Sequence, residues 1–352
     1  MCILFLSVSF MKERKPIFQP NELSNAAVTS MRTRIIAGLT AIAIVLPFVI
    51  FGDLPFFVFI SIVLVFAIIE IIRCAKTKYS KLLYVTTFIL AFLILFWNVI
   101  QDIPSMDSSW RIYDSYDRIT VSVTIMFVGI ILTAFTVISD ENFTIIDGCF
   151  IFMMTVIISL GLESLLYLRY IPVVEHHKAL LNAGETYSYF NLYDNCESFF
   201  LILFVALGAC LNDAFAYFVG VFFGKHKMNP RISPKKTWEG FFGGVILTSI
   251  FLCAWAFILA AVDNGNHAIL KGLLDLEHWY HIIILSILIP LVSVLGDLVF
   301  SSIKRFYGIK DFSNVLPGHG GILDRMDSIV FALTTCAIYL NLFDFWGGVN
   351  LV

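Results

Sequence analysis

Long apolar stretches constrain this chain more than any other feature of its sequence. Each is close to the roughly 20 residues that a helix needs to cross the hydrocarbon core of a bilayer. The stretches lie at 35–51, 54–72, 82–100, 119–138, 147–168, 198–223, 241–262, 281–302 and 327–345. We therefore predict an all-α, polytopic integral membrane protein with about nine transmembrane helices. Eight or ten helices are also compatible, because the turn at Gly52–Asp53 is tight and Glu163 interrupts the fifth stretch.

The composition supports this class of protein. Hydrophobic residues make up 59% of the 352 residues and charged residues only 14%, whereas a soluble globular chain carries about 25% charged residues. The apolar runs are continuous rather than alternating, which argues against an outer-membrane barrel. The seven cysteines show neither the spacing of a zinc site nor that of a disulfide framework.

Lysines and arginines indicate the orientation, because cytoplasmic loops of membrane proteins retain them. A cytoplasmic N-terminus places 18 of the 23 basic residues on the cytoplasmic side. Nine helices then leave the C-terminus outside. Two polar loops, 224–240 and 303–326, fall together on the cytoplasmic face, where a site for a soluble nucleotide has to lie. In a bacterium the protein would reside in the cell (plasma) membrane.

The chain divides into three regions on this interpretation. Residues 1–34 form a cytoplasmic N-terminal segment, and residues 35–172 form N-terminal transmembrane helices that carry no diagnostic motif. Residues 198–345 form a C-terminal transmembrane region that contains both polar loops. We expect the chemistry to reside in this last region.

The segment from Ser301 to Asp327, SSIKRFYGIKDFSNVLPGHGGILDRMD, differs in composition from the rest of the chain, and we call it the signature segment. Its glycines 318, 320 and 321 allow positive φ angles and a close approach of backbone N–H groups to an anion. A helix beginning near Ile322 would direct its positive end the same way. Taken singly, these residues also fit an ordinary basic loop, but together they predict a phosphate-binding turn.

Carboxylates near the cytoplasmic ends of helices are candidates for a metal site. Asp324 and Asp327 are three residues apart at a helix start, so they share one face. Oxygen ligands of this kind suit Mg²⁺ that is shared with substrate phosphates. Asp297 lies at about the depth of the inner headgroups and is a further ligand candidate, while Asp213 fits a functional and a structural role equally. We interpret Glu163 as structural.

The loop 224–240 contains a second basic cluster, Ser233-Pro-Lys235-Lys236-Thr. Two ammonium groups and two hydroxyls on a proline-stiffened loop suit a triphosphate. The positive-inside pattern alone explains the lysines equally well. Gly220 to Lys225 has the spacing GxxxGK instead of GxxxxGK and follows a membrane helix, so we reject a P-loop.

These two segments resemble the phosphatidate cytidylyltransferase (CDP-diglyceride synthase) family. Ser301 to Asp327 matches the family signature S-x-I-K-R-x4-K-D-x-S-x2-L-P-x-H-G-G-I-x-D-R-M-D at every defined position. Asn212 to Tyr217 and Gly224 to Gly240 look like the other cytoplasmic block of that family. The resemblance covers residues 198–345. It implies an enzyme of phospholipid biosynthesis that converts CTP and phosphatidate into CDP-diacylglycerol and pyrophosphate.

The resemblance also implies roles for individual residues. Mg²⁺ would bind Asp297 and Asp324, with Asp327 as third ligand or neighbour, and Lys235 and Lys236 would bind the nucleotide phosphates. The other substrate-binding candidates are Asp213, Ser233, Gly318, Gly320 and Gly321. The candidates for orienting the lipid phosphate or neutralising the transition state are Lys304, Arg305, Lys310, His319 and Arg325.

The expected partners are CTP and phosphatidate in the bilayer, with no nucleic acid, and a homodimer is a possible assembly. A CTP-dependent lipid kinase such as a polyprenol kinase, or a non-enzymatic transporter, are the alternatives. The intact signature argues against the kinase, and the lack of internal repeats argues against the transporter. A CDP-alcohol phosphotransferase is disfavoured because that family's run DG-x2-AR-x8-G-x3-D-x3-D is missing. Asp147-Gly148 is followed by Cys149 and Phe150, with no Ala-Arg after them.

Overall fold

The computed structural model of the chain describes residues 40, 43–74, 81–101, 115–139, 143–182, 192–262, 279–313, 315 and 320–342. Its helices are α1 (Asp53–Cys74), α2 (Lys81–Gln101), α3 (Ser115–Ser139), α4 (Ile145–Asn182), α5 (Leu192–Phe223), α6 (Trp238–Val262), α7 (Tyr280–Phe306), α8 (Leu323–Met326) and α9 (Ile329–Leu342). Two short strands, β1 (Lys227–Asn229) and β2 (Ser233–Thr237), form a hairpin between α5 and α6. Residues 43–51 are also helical.

Several of these helices have the length and composition of membrane spans. Within the described ranges, five are long and apolar enough to cross a bilayer, namely Leu54–Cys74, Ile145–Tyr170, Ser198–Phe223, Trp238–Ala261 and Tyr280–Phe306. Shorter apolar helices run over Lys81–Phe96, Met126–Ser139 and Ile329–Leu342. The predicted helical, polytopic fold is thus confirmed, and the number of nine spans stays a prediction.

Helix α4 is longer than the predicted span at 147–168. It runs for 38 residues, which corresponds to about 57 Å at 1.5 Å per residue, whereas the hydrocarbon core is about 30 Å thick. One end of α4 therefore extends well beyond the apolar layer. The segment after residue 172, which the sequence pattern assigned to a loop, begins as a continuation of this helix.

Helices α5 and α6 pack closely because small residues line their contact. A Cβ atom at Gly240 would lie 2.7 Å from the carbonyl oxygen of Ala216, and one at Gly244 would lie 2.8 Å from the Ala216 Cβ atom. Gly220 on α5 lies against Gly240 on α6. The two backbones therefore approach each other at the end where the β1–β2 hairpin joins them, which holds the hairpin against the bundle.

Pro290 lies inside α7 and removes one backbone donor from that helix. The carbonyl oxygen of Ser286, four residues earlier, instead accepts a hydrogen bond from Ser249 Oγ of α6 at 2.8 Å. The carbonyl oxygen of Pro290 accepts a hydrogen bond from the buried Asn212 Nδ2 of α5 at 3.2 Å. The proline thus frees the Ser286 carbonyl for a bond to α6, and the Pro290 carbonyl itself ties α7 to α5.

A buried arginine stabilises the turn that precedes α1. Gly52 has a φ angle of 65°, as the tight turn predicted at Gly52–Asp53 requires. Arg169 of α4 is 1% exposed and donates from Nε to the carbonyl oxygen of Val49 at 3.0 Å. A Cβ atom at Gly52 would lie 2.1 Å from Arg169 Nη2. The glycine therefore provides both the backbone conformation and the space for the guanidinium group.

We expect Gly52→Ala to lower the free energy of unfolding more than Gly308→Ala does. Both glycines have positive φ angles, 65° and 63°, so both substitutions cost about 1–2 kcal/mol of backbone strain. Only at Gly52 does the new methyl group displace Arg169 from the Val49 carbonyl, since no heavy atom lies within 4 Å of a Cβ at Gly308. Loss of a buried charged hydrogen bond costs about 1.5–3 kcal/mol more.

The midpoints of thermal unfolding in detergent measure this difference. The Gly308→Ala variant is the matched control, because it changes the same residue type in the same backbone conformation. Equal midpoints for the two variants would contradict the role assigned to Arg169.

Candidate active site

The hairpin and the C-terminal end of α7 meet at one end of the helical bundle. Arg305 Nε donates to the carbonyl oxygen of Ile232 at 3.3 Å, and Lys236 forms an ion pair with Asp297. The structure thus brings together the loop 224–240 and the signature segment, which are separated by two apolar helices along the chain. Polar groups from both segments line a single surface at this end.

The hairpin is anchored at its base. β1 and β2 pair antiparallel, with Lys227 opposite Thr237. The buried Thr237 accepts a hydrogen bond from Gly240 N at 3.2 Å and so caps the start of α6. His226 Nδ1 and a carboxylate oxygen of Glu239 are 2.6 Å apart. These contacts hold the base of the hairpin where α5 ends and α6 begins.

Successive residues of β2 point in opposite directions, as in any strand. Lys236 faces α7 and pairs with Asp297, and its side chain is 25% exposed. Lys235 is exposed, whereas Ser233 is half-buried. The predicted lysine pair therefore separates into a lysine that joins two elements and a lysine that faces outward.

Asp297 and Asp213 lie close to each other from different helices. Asp297 accepts a hydrogen bond from Ser301 Oγ at 3.1 Å, one turn along α7. Asp213 is exposed on α5 and lies within electrostatic range of Asp297, Lys236 and Arg325. The neighbouring Asn212 is buried and makes the contact with α7, through Pro290 O and Ser293 Oγ.

Asp324 lies at the centre of the signature segment. Its side chain is 2% exposed, and its Oδ1 atom is 3.0 Å from Lys304 Nζ. Its Oδ2 atom accepts hydrogen bonds from Phe312 N at 2.8 Å and Gly321 N at 2.9 Å. Lys304 also lies 3.7 Å from Asp327 Oδ2. This carboxylate therefore joins the end of α7 to the turn that precedes α8.

The structure describes part of the predicted phosphate-binding turn, residues 317–321, which we call the glycine turn. At Gly320 it has the backbone conformation that the sequence predicts. Gly320 has a φ angle of 85°, and a short helix follows Ile322. The N–H groups of Gly321, Ile322 and Leu323 bind carboxylates of the chain itself, those of Asp324 and Glu70. Gly318 and His319 lie outside the described residues.

The remaining predicted cations lie at the surface of this end. Lys235, Lys310 and Arg325 are exposed, and none of them forms an ion pair with another residue in the described part of the chain. Arg305 is exposed apart from its hydrogen bond to the hairpin. Cations with unoccupied donors are suited to phosphate groups.

The acidic groups of this end fit a divalent cation by their chemistry. Asp213, Asp297 and Asp327 lie within electrostatic range of one another, and carboxylate oxygens are the ligands that Mg²⁺ prefers. Among the side chains that the structure describes, no three His, Cys, Asp or Glu residues are close enough to hold a metal ion together. Lys236 and Lys304 lie against Asp297 and Asp324, where a cation would have to replace them.

Glu70 is the residue of this end that the sequence analysis missed. It belongs to α1, in the region that we considered free of diagnostic residues, and its carboxylate binds the signature segment. The rule that charged groups within spans indicate function was applied to Asp213, Asp297 and Glu163. The same rule would have identified Glu70.

Comparisons with known proteins place this arrangement in a family. A family model described as the cytidylyltransferase family matches residues 32–343. The chain belongs to the cytidylyltransferase family. The match extends over the N-terminal helices as well as the signature segment, so the predicted resemblance is confirmed and covers more of the chain than expected. The protein is a nucleotidyltransferase with helices that can span a membrane.

Individual relatives agree with the family model. The chain is 30% identical to the phosphatidate cytidylyltransferase of Bacillus subtilis over 316 residues, which are 90% of this chain and 100% of the relative. It is 28% identical to that of Staphylococcus aureus over 88% of this chain and 99% of the relative. It is 30% identical to the phosphatidate cytidylyltransferase of Staphylococcus saprophyticus, again over 88% of this chain and 99% of the relative.

We expect Asp324→Asn to destabilise the protein and Asp297→Asn to leave its stability nearly unchanged. An amide at position 324 places an N–H group against Lys304 or against two backbone donors, and a lost buried bond to a charged group costs about 1.5–3 kcal/mol. Asp297→Asn loses the ion pair with Lys236 but also removes the repulsion between Asp297 and the neighbouring carboxylates of Asp213 and Asp327, so the two effects offset each other.

Thermal unfolding midpoints of the two purified variants test this difference, with Asp297→Asn as the control for removal of a site carboxylate. A larger loss for Asp297→Asn than for Asp324→Asn would show that the buried carboxylate is not the one that organises the segment.

Proposed function

We propose that the protein transfers the cytidylyl group of CTP to phosphatidate, which yields CDP-diacylglycerol and pyrophosphate. The observation that carries the proposal is the meeting of the hairpin with the signature segment, which forms a surface of lysines, arginines and aspartates at one end of a membrane bundle. The family match and the names of the relatives support this reaction. The apolar helices support a substrate that resides in the bilayer.

The reaction needs charge neutralisation and alignment more than a base. The phosphate monoester of phosphatidate is anionic at neutral pH, and one of its oxygens attacks the α-phosphorus of CTP. A new P–O bond forms while the bond between the α-phosphorus and the bridging oxygen breaks, and pyrophosphate leaves with that electron pair. Because no proton has to be removed, positioning and electrostatic stabilisation supply the catalysis.

The hairpin is the proposed site for the nucleotide phosphates. Lys235 is exposed and has no ion-pair partner among the described side chains, so its ammonium group can bind the triphosphate. Ser233 and Lys236 lie on the same strand, and Asp213 lies within electrostatic range of Lys236. Replacement of Lys236 by a metal ion at Asp297 would free the second ammonium group for the nucleotide.

The signature segment is the proposed site for the lipid phosphate and the transition state. Arg305, Lys310 and Arg325 are exposed, and Lys304 becomes available when its carboxylate partners bind a cation. We assign the same region to His319. The N–H groups of residues 321–323 already bind carboxylates, so those amides are not proposed as phosphate ligands, while Gly318, Gly320 and Gly321 stay candidates for substrate binding.

The proposed cofactor is Mg²⁺, with Asp297, Asp324 and Asp327 as candidate ligands by their chemistry, although the described structure does not bring these three carboxylates together around one position. The Oδ1 atom of Asp324 has Lys304 as its partner, while Oδ2 is occupied by two backbone N–H groups. The bound ion would neutralise the triphosphate and the leaving pyrophosphate.

The proposed topology has nine spans, a cytoplasmic N-terminus and an external C-terminus, with the site on the cytoplasmic side. The distribution of lysine and arginine supports it. The C-terminal ends of α1 and α7 lie together with the hairpin, which supports a common side of the membrane for them. Arg169 near the other end of the bundle joins α4 to the turn at Gly52, which supports a common, opposite side for these two segments. The region boundaries 1–34, 35–172 and 198–345 and a homodimer stay predictions.

We expect the purified protein to incorporate label from the α-phosphorus of CTP into a lipid, and not from the γ-phosphorus, when phosphatidate and Mg²⁺ are supplied. A cytidylyl transfer retains the α-phosphorus, whereas a lipid kinase transfers the γ-phosphorus. Asp297→Asn serves as the control that folds normally and lacks a proposed metal ligand, and it should incorporate little label.

Label from the γ-phosphorus in the lipid would instead identify a kinase, and no label in any lipid would refute both activities. Sealed vesicles of known orientation extend the assay, since CTP does not cross membranes. Activity in inside-out vesicles alone is expected for a cytoplasmic site, and activity in right-side-out vesicles alone would reverse the topology.

We expect Lys235→Ala to raise the KM for CTP by about 10- to 100-fold, the value of one charge-assisted hydrogen bond, with a smaller effect on the KM for phosphatidate. Lys227→Ala is the matched control, because Lys227 is an exposed lysine of the same hairpin outside the proposed site. Steady-state kinetics with each substrate varied in turn provide the measurement. Similar KM values for both variants would remove Lys235 from the nucleotide site.

A further inference from the structure

Glu70 brings the N-terminal half of the protein into the active site. It lies one turn before the end of α1, and it is 3% exposed. Its carboxylate accepts three hydrogen bonds, all from the signature segment, which begins more than 200 residues later in the chain. Ser313 Oγ lies 2.5 Å and Ile322 N 3.0 Å from Oε1, and Leu323 N lies 2.9 Å from Oε2.

These bonds join the two ends of the glycine turn. Ser313 precedes the turn, and residues 322 and 323 follow it. Asp324 makes a similar connection, because its Oδ2 atom accepts hydrogen bonds from Phe312 N and Gly321 N. These two residues directly precede the residues that Glu70 binds. Two carboxylates thus close the same loop, one from within the signature segment and one from α1.

The contact with Gly321 leaves no space between α1 and the turn. A Cβ atom at Gly321 would lie 2.6 Å from Glu70 Oε2 and 2.8 Å from Oε1. The glycine is therefore required at this position by the carboxylate of another helix. A small displacement of Glu70 would therefore also displace residues 321–324 and the Asp324–Lys304 ion pair.

Residue 70 has to be a hydrogen-bond acceptor. In the described ranges no lysine or arginine forms an ion pair with it, and the buried carboxylate is matched there by three hydrogen-bond donors. An apolar side chain could hold α1 against the turn without the desolvation cost of a carboxylate. It could not accept the two backbone N–H groups that begin α8.

We infer that Glu70 is a positioning residue for the transfer reaction, which holds residues 321–324 in place so that Asp324, Lys304 and Asp327 keep the geometry that the reacting phosphates require. This role rests on the proposed function. Glu70 touches neither substrate in this proposal and acts through residues 321–324.

The test is Glu70→Gln in the full-length protein. The amide keeps the length of the side chain but presents an N–H group to one of the donors, so the hydrogen bond from either Ile322 N or Leu323 N is lost. We expect kcat to fall by about 10- to 100-fold, the effect of a misplacement of about 1 Å in an active site. The KM for CTP should stay within about threefold, because the hairpin contacts are unchanged, and the protein should insert normally.

Asp147→Asn is the matched control. Asp147 also caps a helix start with its carboxylate, accepting from Thr144 Oγ1 at 2.7 Å, and it lies outside the proposed site. It should leave kcat within about twofold of that of the unsubstituted protein. An equal loss of kcat in both variants, a normal kcat in Glu70→Gln, or a rise in the KM for CTP alone would overturn the inference.

Ser313→Ala covers the case in which Glu70→Gln does not fold. It removes one donor from the same carboxylate without changing α1, and we expect a fall in kcat of several-fold. If both variants fold, the losses should combine non-additively, because they break one cluster. A normal kcat in Ser313→Ala beside an unfolded Glu70→Gln would make Glu70 a folding residue only. Lack of CDP-lipid formation by the unsubstituted protein would refute the proposed function instead.

Discussion

A buried carboxylate must be matched by donors or cations, and Asp324 places this requirement at the centre of the functional end. Its two oxygens take two backbone N–H groups and the Lys304 ammonium group. Because an unmatched charge there would cost several kcal/mol, the end of α7, the glycine turn and the start of α8 are held in one arrangement. Glu70 of α1 is a second buried carboxylate that is matched by donors of the signature segment. Its hydrogen bonds therefore connect the N-terminal half of the chain to the same cluster.

The helices supply the frame for this cluster through polar contacts inside the apolar layer. The carbonyl oxygens of Pro290 and Ser286 accept hydrogen bonds from Asn212 and Ser249, which fixes α7 between α5 and α6. In a bilayer no water competes for these acceptors, so each contact specifies a partner. The position of α7 then determines where Asp297 meets Lys236 and where Arg305 meets the hairpin. The geometry of the site thus depends on helix packing some distance away from it.

Much of the architecture was predictable because a membrane span has a strong local signal. About 20 apolar residues indicate a helix whatever surrounds it, and the described helices α1 to α7 and α9 overlap the predicted spans. Gly320 has the positive φ angle expected of the turn. The ion pairs Lys236–Asp297 and Lys304–Asp324 could not be predicted, because they join residues on different elements. The length of α4 was missed because polar residues after residue 172 resemble a loop.

By itself, the sequence determined the class of protein, the family and the segments that carry the chemistry, since apolar length and a dense motif are local properties. Only the tertiary structure decided the partners of those groups. The N–H groups of the turn bind Glu70 and Asp324, and Lys235 is available while Lys236 is paired. The physical reason is that a hydrogen bond or an ion pair depends on distance in space. Packing of α1, α5 and α7 sets these distances between residues that are far apart along the chain.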